Sequence, residues 1–257
     1  HLIVEAMRRA YHDRALYLGD PDFVEIPEKK LLSPVYAAGL RSSIRLDKAL
    51  PSMYLAGEVN EKEAGSDTTH FSIIDGQGNR VAATLSINYP FGSGFIPPGT
   101  GVLLNDEMDD FSSKPGARNV YGLTGGAANA IEPGKRMLSS MTPTFLDDGE
   151  RVAVLGTPGG SRIISMVLLA VLDFSEGMGP ASWVQVKRFH HQYIPDEILY
   201  EKSGLTVQMV NALSEFGHRF KEKTRSYGNM QGVQWNHKTD QMTAASDPRG
   251  EGLAAVR

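Results

Sequence analysis

A β-hairpin pattern in the middle of the chain constrains its fold most strongly. From Thr68 onward strand patterns appear: Phe71 and Ile73 alternate with Ser72, and Val81, Ala83, Leu85 and Ile87 alternate with Ala82, Thr84, Ser86 and Asn88. Between these runs, the segment Asp75-Gly-Gln-Gly-Asn79 consists of residues that favour a tight turn. Two alternating runs joined by a short turn are typical of two antiparallel strands. The sequence therefore predicts a hairpin that begins at Thr68.

The length of the turn predicts which residues of the two strands face each other. If residues 75 to 79 form the loop, position 74 lies opposite position 80, and Thr68 lies opposite Ser86. Asn88 is expected on the same face as Ser86 because side chains in a strand alternate, while the apolar residues from Val81 to Ile87 would point into an apolar layer. The pattern predicts a polar cluster of Thr68, Ser86 and Asn88.

Composition excludes several classes of protein. The 257 residues are 41% hydrophobic, which is enough for a sizeable core, and the net charge is −4. A pI near 6.0 without a long Lys/Arg run gives no indication of a nucleic-acid partner. The absence of cysteine excludes disulfides, thiolate metal sites and a cysteine nucleophile. No apolar run reaches the roughly 18 residues that indicate a membrane-spanning helix.

The first part of the chain differs in character from the rest. It opens in a helical pattern from His1 to Tyr11, without an initiator methionine, and we expect it to be a piece of a longer protein with any targeting signal upstream. Up to Asp67 we expect one amphipathic helix followed by irregular, charged connections. Strand patterns take over from Thr68 onward.

Local patterns predict further elements beyond the hairpin. They are a buried strand at Val152 to Leu155, a helix buried on all sides at Ile163 to Leu172 with Ser161 as its N-cap, a helix at Thr206 to Phe216 stopped by Gly217, and a late hairpin at Val233 to Trp235 and Met242 to Ala244. The segment from Lys114 to Asn129 is rich in glycine and is a candidate lid, because compact domains rarely keep long structureless loops without a use.

Thr68 has two interpretations. It is a good strand former, and that is the more common reason for a threonine at this place. Alternatively, it is a nucleophile that follows a self-cleavable bond to Asp67. A threonine hydroxyl needs a base, and its own α-amino group supplies one once the preceding peptide bond is cut.

Gly159 and Gly160 lie between the predicted strand and helix, where they could form a phosphate cradle, an oxyanion hole or a tight turn. The phosphate interpretation is weak because Arg162 stands where a phosphate-binding loop needs lysine followed by serine or threonine. An oxyanion hole needs only unobstructed backbone N–H groups, which glycine provides.

Other polar groups also have two interpretations each. The run from Glu107 to Asp110 is a solvated surface or a carboxylate pocket for an ammonium group, and Ser139-Ser140 is a turn or an anion site.

His190-His191 suggests a metal, yet adjacent strand residues point to opposite faces, and we expect no metal site. Asp247-Pro-Arg249 is expected to be a structural turn with an ion pair.

Taken together, the motifs resemble those of the γ-glutamyltranspeptidases over nearly the whole chain. They are Tyr17 to Phe23, Asp67 to Ser72, Leu103 to Ser112, Lys114 to Gly116 with Asn119 to Gly122, Pro133 to Arg136, Leu138 to Met141, Pro158 to Arg162, Arg188 to His191 and Ala245 to Arg249. The resemblance implies a self-cleaved N-terminal nucleophile hydrolase of the α/β (α+β) class with an αββα sandwich. Residues 1–67 would end the large subunit and residues 68–257 would form the small subunit, so the sandwich would be only partial.

The resemblance also implies roles for individual residues. Thr68 would be the nucleophile for cleavage of the Asp67–Thr68 bond and for turnover, and Ser86 would orient its hydroxyl; bacterial relatives often have threonine at position 86. The remaining roles would be an oxyanion hole at Gly159 and Gly160, binding of the substrate α-ammonium by Asn88, Glu107 and Asp110, binding of its α-carboxylate by Ser139 and Ser140, and a lid formed by Tyr121.

The implied activity is that of a γ-glutamyltransferase and glutathione hydrolase without a cofactor. It would pass the γ-glutamyl group of glutathione and related compounds to water, amino acids or dipeptides through an ester on Thr68. A large subunit would pair with the small one, in the periplasm or outside the cell. The family's carboxylate-binding arginine would lie upstream of this chain. Two alternatives stay open, a β-lactam side-chain acylase of the same fold and a non-catalytic homologue.

Overall fold

The computed structural model describes residues 1–55, 68–112, 126–202 and 204–257. Within them the helices are α1 (Leu2–Tyr17), α2 (Glu28–Leu31), α3 (Pro34–Ser42), α4 (Ile163–Ser175), α5 (Pro180–Trp183) and α6 (Val207–Glu215). The strands are β1 (Thr68–Ile74), β2 (Arg80–Ser86), β3 (Thr144–Asp147), β4 (Arg151–Gly156), β5 (Phe189–His190), β6 (Ile198–Glu201), β7 (Phe220–Lys223), β8 (Gln231–Asn236) and β9 (Gln241–Ser246). The mixture of helices and strands agrees with the expected α+β class.

The chain forms two compact units, each built from three separate stretches. The first unit consists of His1–Ala64, Glu107–Ser139 and Phe189–Lys223. The second consists of Gly65–Asp106, Ser140–Arg188 and Thr224–Arg257.

Three layers make up the second unit. The β1–β2 hairpin has the expected register, with Thr68 opposite Ser86 and Ile74 opposite Arg80. It packs on β4 and β8 of a second sheet with strand order β3-β4-β8-β9. The other face of that sheet packs on α4 and α5 around a core that includes Leu155, Met166 and Trp183. These are two β layers and one α layer of the implied sandwich.

The apolar face of the hairpin lies on its outer side. Phe71, Ile73, Val81 and Leu85 are 43%, 50%, 46% and 53% exposed. The inner side, which faces the second sheet, carries polar residues instead, among them His70, which is buried. The expectation that the apolar residues from Val81 onward point into a packed layer is therefore wrong within this unit, because hydrogen-bonded polar side chains occupy the space between the two sheets.

The first unit combines α1, α2, α3 and α6 with a sheet of order β5-β6-β7, in which β6 and β7 are parallel. The expected first helix is present as α1, but its buried side carries charged groups as well as apolar ones, which the pattern did not predict. Glu5 pairs with Arg8 at 3.2 Å and with Arg9 at 2.6 Å, and Arg8 also pairs with Asp196. Opposite charges that are paired and hydrogen-bonded can be buried, whereas single ones cannot.

Local sequence signals predicted the N-cap of one helix correctly and that of another incorrectly. Thr206 caps α6 by accepting a hydrogen bond from the Met209 N–H at 3.2 Å, as expected for a helix that starts there. Ser161 does not cap α4, because a single 3₁₀ turn over Gly160–Arg162 precedes the helix and Arg162 holds the cap position. Across the described ranges, none of the helices combines the length and the apolar character needed to cross a bilayer.

Candidate nucleophile site

The hairpin brings together the three polar residues that the alternation predicted. The Oγ1 atom of Thr68 lies 3.1 Å from the Oγ atom of Ser86. The backbone N–H of Asn88 donates to the same Ser86 Oγ at 2.9 Å. Ser86 Oγ is therefore the atom that contacts both of the other two residues.

Asn88 belongs to a bend that follows β2, and not to the strand itself as the alternation predicted. Strand β2 ends at Ser86, and Asn88 has a φ of 69°, in the left-handed region that Asn tolerates better than most residues. Asn88 is 2% exposed, and its Nδ2 donates to the Asp106 carbonyl at 3.3 Å. The Asp106 carboxylate accepts from the Tyr89 N–H at 3.0 Å, so Asp106 holds this bend from two sides.

Gly159 and Gly160, called here the glycine turn, connect β4 with the 3₁₀ turn that opens α4. Gly159 has a φ of 149°, and Gly160 has a φ of 61°. A Cβ atom on Gly159 would lie 2.4 Å from the Cε of Met166 in α4, the flexible end of that side chain, so it is the backbone conformation that favours glycine there. Backbone N–H groups at such a turn are unobstructed by side chains, as an oxyanion hole needs.

A hydrogen-bond network that the sequence did not reveal lies between the hairpin and the second sheet. His70 contacts the Thr84 Oγ1 through Nδ1 at 2.7 Å and the Ser72 Oγ through Nε2 at 2.9 Å. Ser72 donates to the Gln231 carbonyl at 3.3 Å. Burial lowers the pKa of His70 to about 4. One feature of the sequence could have indicated this network. His70 lies two residues after Thr68, so alternation puts both side chains on one face of β1, and the register puts His70 opposite Thr84.

The other predicted site residues are distributed over the two units. Glu107 and Asp110 begin and end a 3₁₀ turn of the first unit and are half-buried. Ser139 is exposed at the end of a stretch of the first unit, and Ser140 begins a stretch of the second. The ligand-binding roles of these four residues stay predictions. Asp67, Tyr121 and most of the candidate lid lie outside the described residues.

The paired histidines act as hydrogen-bonding groups in the described structure. His190 Nε2 contacts Gln192 Oε1 at 2.8 Å, and His191 Nε2 contacts Asp196 Oδ1 at 3.2 Å. Burial lowers the pKa of His191 to about 4 despite that carboxylate. Asn and Gln oxygens and carboxylates are ordinary partners for a neutral imidazole.

One group of potential metal ligands does occur in the first unit. His1, Glu5 and His218 bring ligand atoms within 4.8 Å of one another. The Glu5 carboxylate already pairs with two buried guanidinium groups, so a dication there would add uncompensated positive charge. This charge balance disfavours a metal.

The interpretation of Asp247-Pro-Arg249 as a structural turn with an ion pair is confirmed. Asp247 Oδ1 accepts from the Arg249 N–H at 2.9 Å and pairs with its guanidinium at 3.3 Å. Asp247 also pairs with Arg188, and both side chains are buried.

Comparisons with known proteins show which proteins this chain resembles. The sequence model of the family described as gamma-glutamyltranspeptidase matches residues 1–257. A glutathione hydrolase proenzyme of Pseudomonas sp. (strain A14) is 49% identical over 86% of this chain and 38% of its own length. Another, from Escherichia coli (strain K12), is 42% identical over 96% of this chain and 43% of its own length. This chain thus spans less than half the length of either relative.

A solved structure shows the same similarity in three dimensions. The γ-glutamyltranspeptidase from Pseudomonas nitroreducens complexed with L-DON is 45% identical, with a TM-score of 0.68 over 74% of this chain and 99% of that one. Sequence similarity over the full chain and structural similarity over three quarters of it agree, and the chain belongs to the γ-glutamyltranspeptidase family.

Proposed function

We propose that the complete protein is a self-cleaving γ-glutamyltransferase and glutathione hydrolase, with Thr68 as its nucleophile. The contact between the Thr68 and Ser86 hydroxyls, at 3.1 Å, carries the proposal. It holds the attacking oxygen in a fixed direction, which a threonine that serves only as a strand former does not require.

Cleavage and turnover use the same oxygen. In the precursor, Thr68 Oγ1 attacks the Asp67 carbonyl, the acyl group moves from nitrogen to oxygen, and water opens the resulting ester. This step leaves a chain that begins at Thr68 and has a free α-amine on that residue. The amine then takes the hydroxyl proton, because it belongs to the same residue as the nucleophile.

In each turnover, Thr68 Oγ1 attacks the γ-carbonyl of a γ-glutamyl amide. The glycine turn donates N–H groups to the developing oxyanion, a contribution of about 3 kcal/mol per donor in related chemistry. The proton held by the α-amine passes to the leaving amine, and a γ-glutamyl ester forms. Water or the amine of an amino acid or dipeptide then attacks this ester, and no cofactor takes part.

Recognition of the substrate is assigned to the charged and polar groups that the family resemblance singles out. Asn88, Glu107 and Asp110 bind the α-ammonium of the γ-glutamyl group. Ser139 and Ser140 bind its α-carboxylate, and Tyr121 closes the pocket. The upstream part of the protein supplies the large subunit that pairs with residues 68–257. We place the enzyme in the periplasm or outside the cell.

Replacement of Thr68 tests the proposal in the complete protein. Thr68→Ala should leave the precursor uncut and lower turnover of a γ-glutamyl anilide by at least about 10³-fold, because no hydroxyl remains to attack. Intact mass and the rate of anilide release measure the two effects. Thr69→Ala is the matched control, since Thr69 lies on the exposed face of β1. Normal cleavage of Thr68→Ala would contradict the proposal.

A comparison of two anilide substrates tests which class of acyl group the enzyme accepts. We expect the mature enzyme to release aniline from γ-glutamyl anilides much faster than from glutaryl anilides, because a glutaryl group brings no ammonium for Glu107 and Asp110. The opposite preference would make the protein an acylase of the same fold.

A further inference from the structure

The hydrogen bonds around His70 have one consistent direction. A serine hydroxyl has one proton, and Ser72 gives it to the Gln231 carbonyl. Ser72 Oγ therefore accepts from the Nε2–H of His70, which leaves Nδ1 unprotonated. Nδ1 then accepts from the Thr84 hydroxyl. The imidazole is thus held in one tautomer, in which Nε2–H donates to Ser72 of β1 and Nδ1 accepts from Thr84 of β2.

The ring also lies against the end of β4. A Cβ atom on Gly156 would come within 2.3 Å of the His70 Cε1 and 2.6 Å of its Nδ1. Gly156 has Gln231 as its register partner in β8. The imidazole is thus seated over the Gly156–Gln231 pair, in a space that exists only because residue 156 has no side chain.

This position places His70 between the two parts of the proposed catalytic machinery. Thr68 precedes His70 by two residues in β1, so the two side chains share a face about 7 Å apart along the strand. The imidazole also lies against Gly156, the last residue of β4, and the glycine turn begins three residues after Gly156. A shift of the imidazole would change the distance between hairpin and β4, and with it the distance from nucleophile to oxyanion donors.

We propose that His70 is a positioning residue, whose neutral imidazole sets the spacing between the nucleophile's hairpin and the strand that leads into the glycine turn. The inference rests on the proposed function, in which Thr68 attacks and the glycine turn stabilises the oxyanion. Burial supports it, since the lowered pKa keeps the ring neutral under ordinary conditions and a neutral ring is required by the tautomer.

A change at Thr84 tests the donor side of the network with little effect on packing. In the complete protein, Thr84→Val keeps the shape and removes only the hydroxyl that donates to Nδ1. We expect a kcat about 10-fold lower on a γ-glutamyl anilide with KM within about twofold, because substrate binding is retained while alignment is lost. Thr84→Ser keeps the hydroxyl and should restore kcat to near the wild-type value.

A double-mutant cycle tests the contact between the ring and β4. Gly156→Ala alone should lower kcat and the rate of precursor cleavage about 10-fold or more, because its methyl group displaces the imidazole. In a His70→Ala background the space is free, so the same change should alter kcat by less than about threefold. Strong non-additivity of this kind is expected for residues in contact and not for distant, independent ones.

Two outcomes would overturn the inference. One is a Thr84→Val enzyme with wild-type kcat and wild-type cleavage. The other is a Gly156→Ala change that costs the same factor with and without His70. If His70→Ala does not fold, the comparison of Thr84→Val with Thr84→Ser decides alone. Failure of the proposed function is recognised separately, because it appears as cleavage or turnover in Thr68→Ala.

Discussion

At the scale of single residues, Ser86 holds the hydroxyl of Thr68, the proposed nucleophile. Its Oγ accepts from the Asn88 N–H at 2.9 Å and lies 3.1 Å from Thr68 Oγ1. We expect Ser86→Ala in the complete protein to lower kcat about 10- to 100-fold, because the Thr68 hydroxyl loses its partner and a buried N–H loses its acceptor. Steady-state rates on a γ-glutamyl anilide measure the effect.

The control at this position is Ser86→Thr, which keeps the hydroxyl opposite Thr68. It should turn over within about threefold of the wild-type rate, since a hydrogen bond of the same kind remains. Equal activity of Ser86→Ala and Ser86→Thr would show that the hydroxyl contact does not orient Thr68.

At the scale of elements, α4 has a glycine with positive φ before its start and a second one after its end. Gly159 has a φ of 149°, and Gly177, which follows the helix, has a φ of 90°. We expect Gly159→Ala to destabilise the protein by about 1–3 kcal/mol and also to lower kcat, because the proposed oxyanion donors would move with the turn. Thermal unfolding and kcat per folded molecule separate the two effects.

Gly177→Ala is the matched control for backbone strain. A Cβ atom at Gly177 meets nothing within 4 Å, and the residue ends α4 in a Schellman-type turn with Met178 N–H bonded to Asp173 carbonyl at 3.1 Å. This variant should be destabilised to a similar degree with an unchanged kcat per folded molecule. An unchanged kcat in Gly159→Ala as well would argue against an oxyanion role for this turn.

The same elements show how far the sequence predicts this structure. The hairpin register is confirmed at every pair from Thr68 opposite Ser86 to Ile74 opposite Arg80, because turn length and alternation are local properties. The late hairpin and α6 were also predicted by local signals. Helix α3, from Pro34, was not predicted, although Ser33-Pro34 is a recognisable helix start.

Features that depend on distant partners could not be predicted in this way. The direction of the hairpin's apolar face depends on what packs against it, and the place of His70 depends on the missing side chain of Gly156. Similarly, the buried charges of α1 depend on Asp196, which is 188 residues from Arg8. Periodicity within one segment carries no information about such contacts.

At the scale of the whole molecule, the outer face of the hairpin is an apolar surface that we expect another part of the protein to cover. Phe71, Ile73, Val81 and Leu85 form an apolar surface, each about half exposed. Soluble domains rarely leave such a contiguous face in water. The two relatives compared above are more than twice as long as the aligned part, so we expect the upstream part of the complete protein to cover this face.

Adding a charge to this face tests the expectation in the complete protein. Leu85→Lys should lower the free energy of unfolding by about 2–4 kcal/mol, because an apolar contact is lost and an ammonium is buried. It should also reduce the amount of residues 68–257 that co-elutes with the upstream chain after cleavage. Gln77→Lys adds the same charge at the exposed turn of the same hairpin and should change neither quantity. Identical stability and co-elution of the two variants would mean that the apolar face stays in contact with water, and the site at Thr68 would then be supported from the inner face of the hairpin alone.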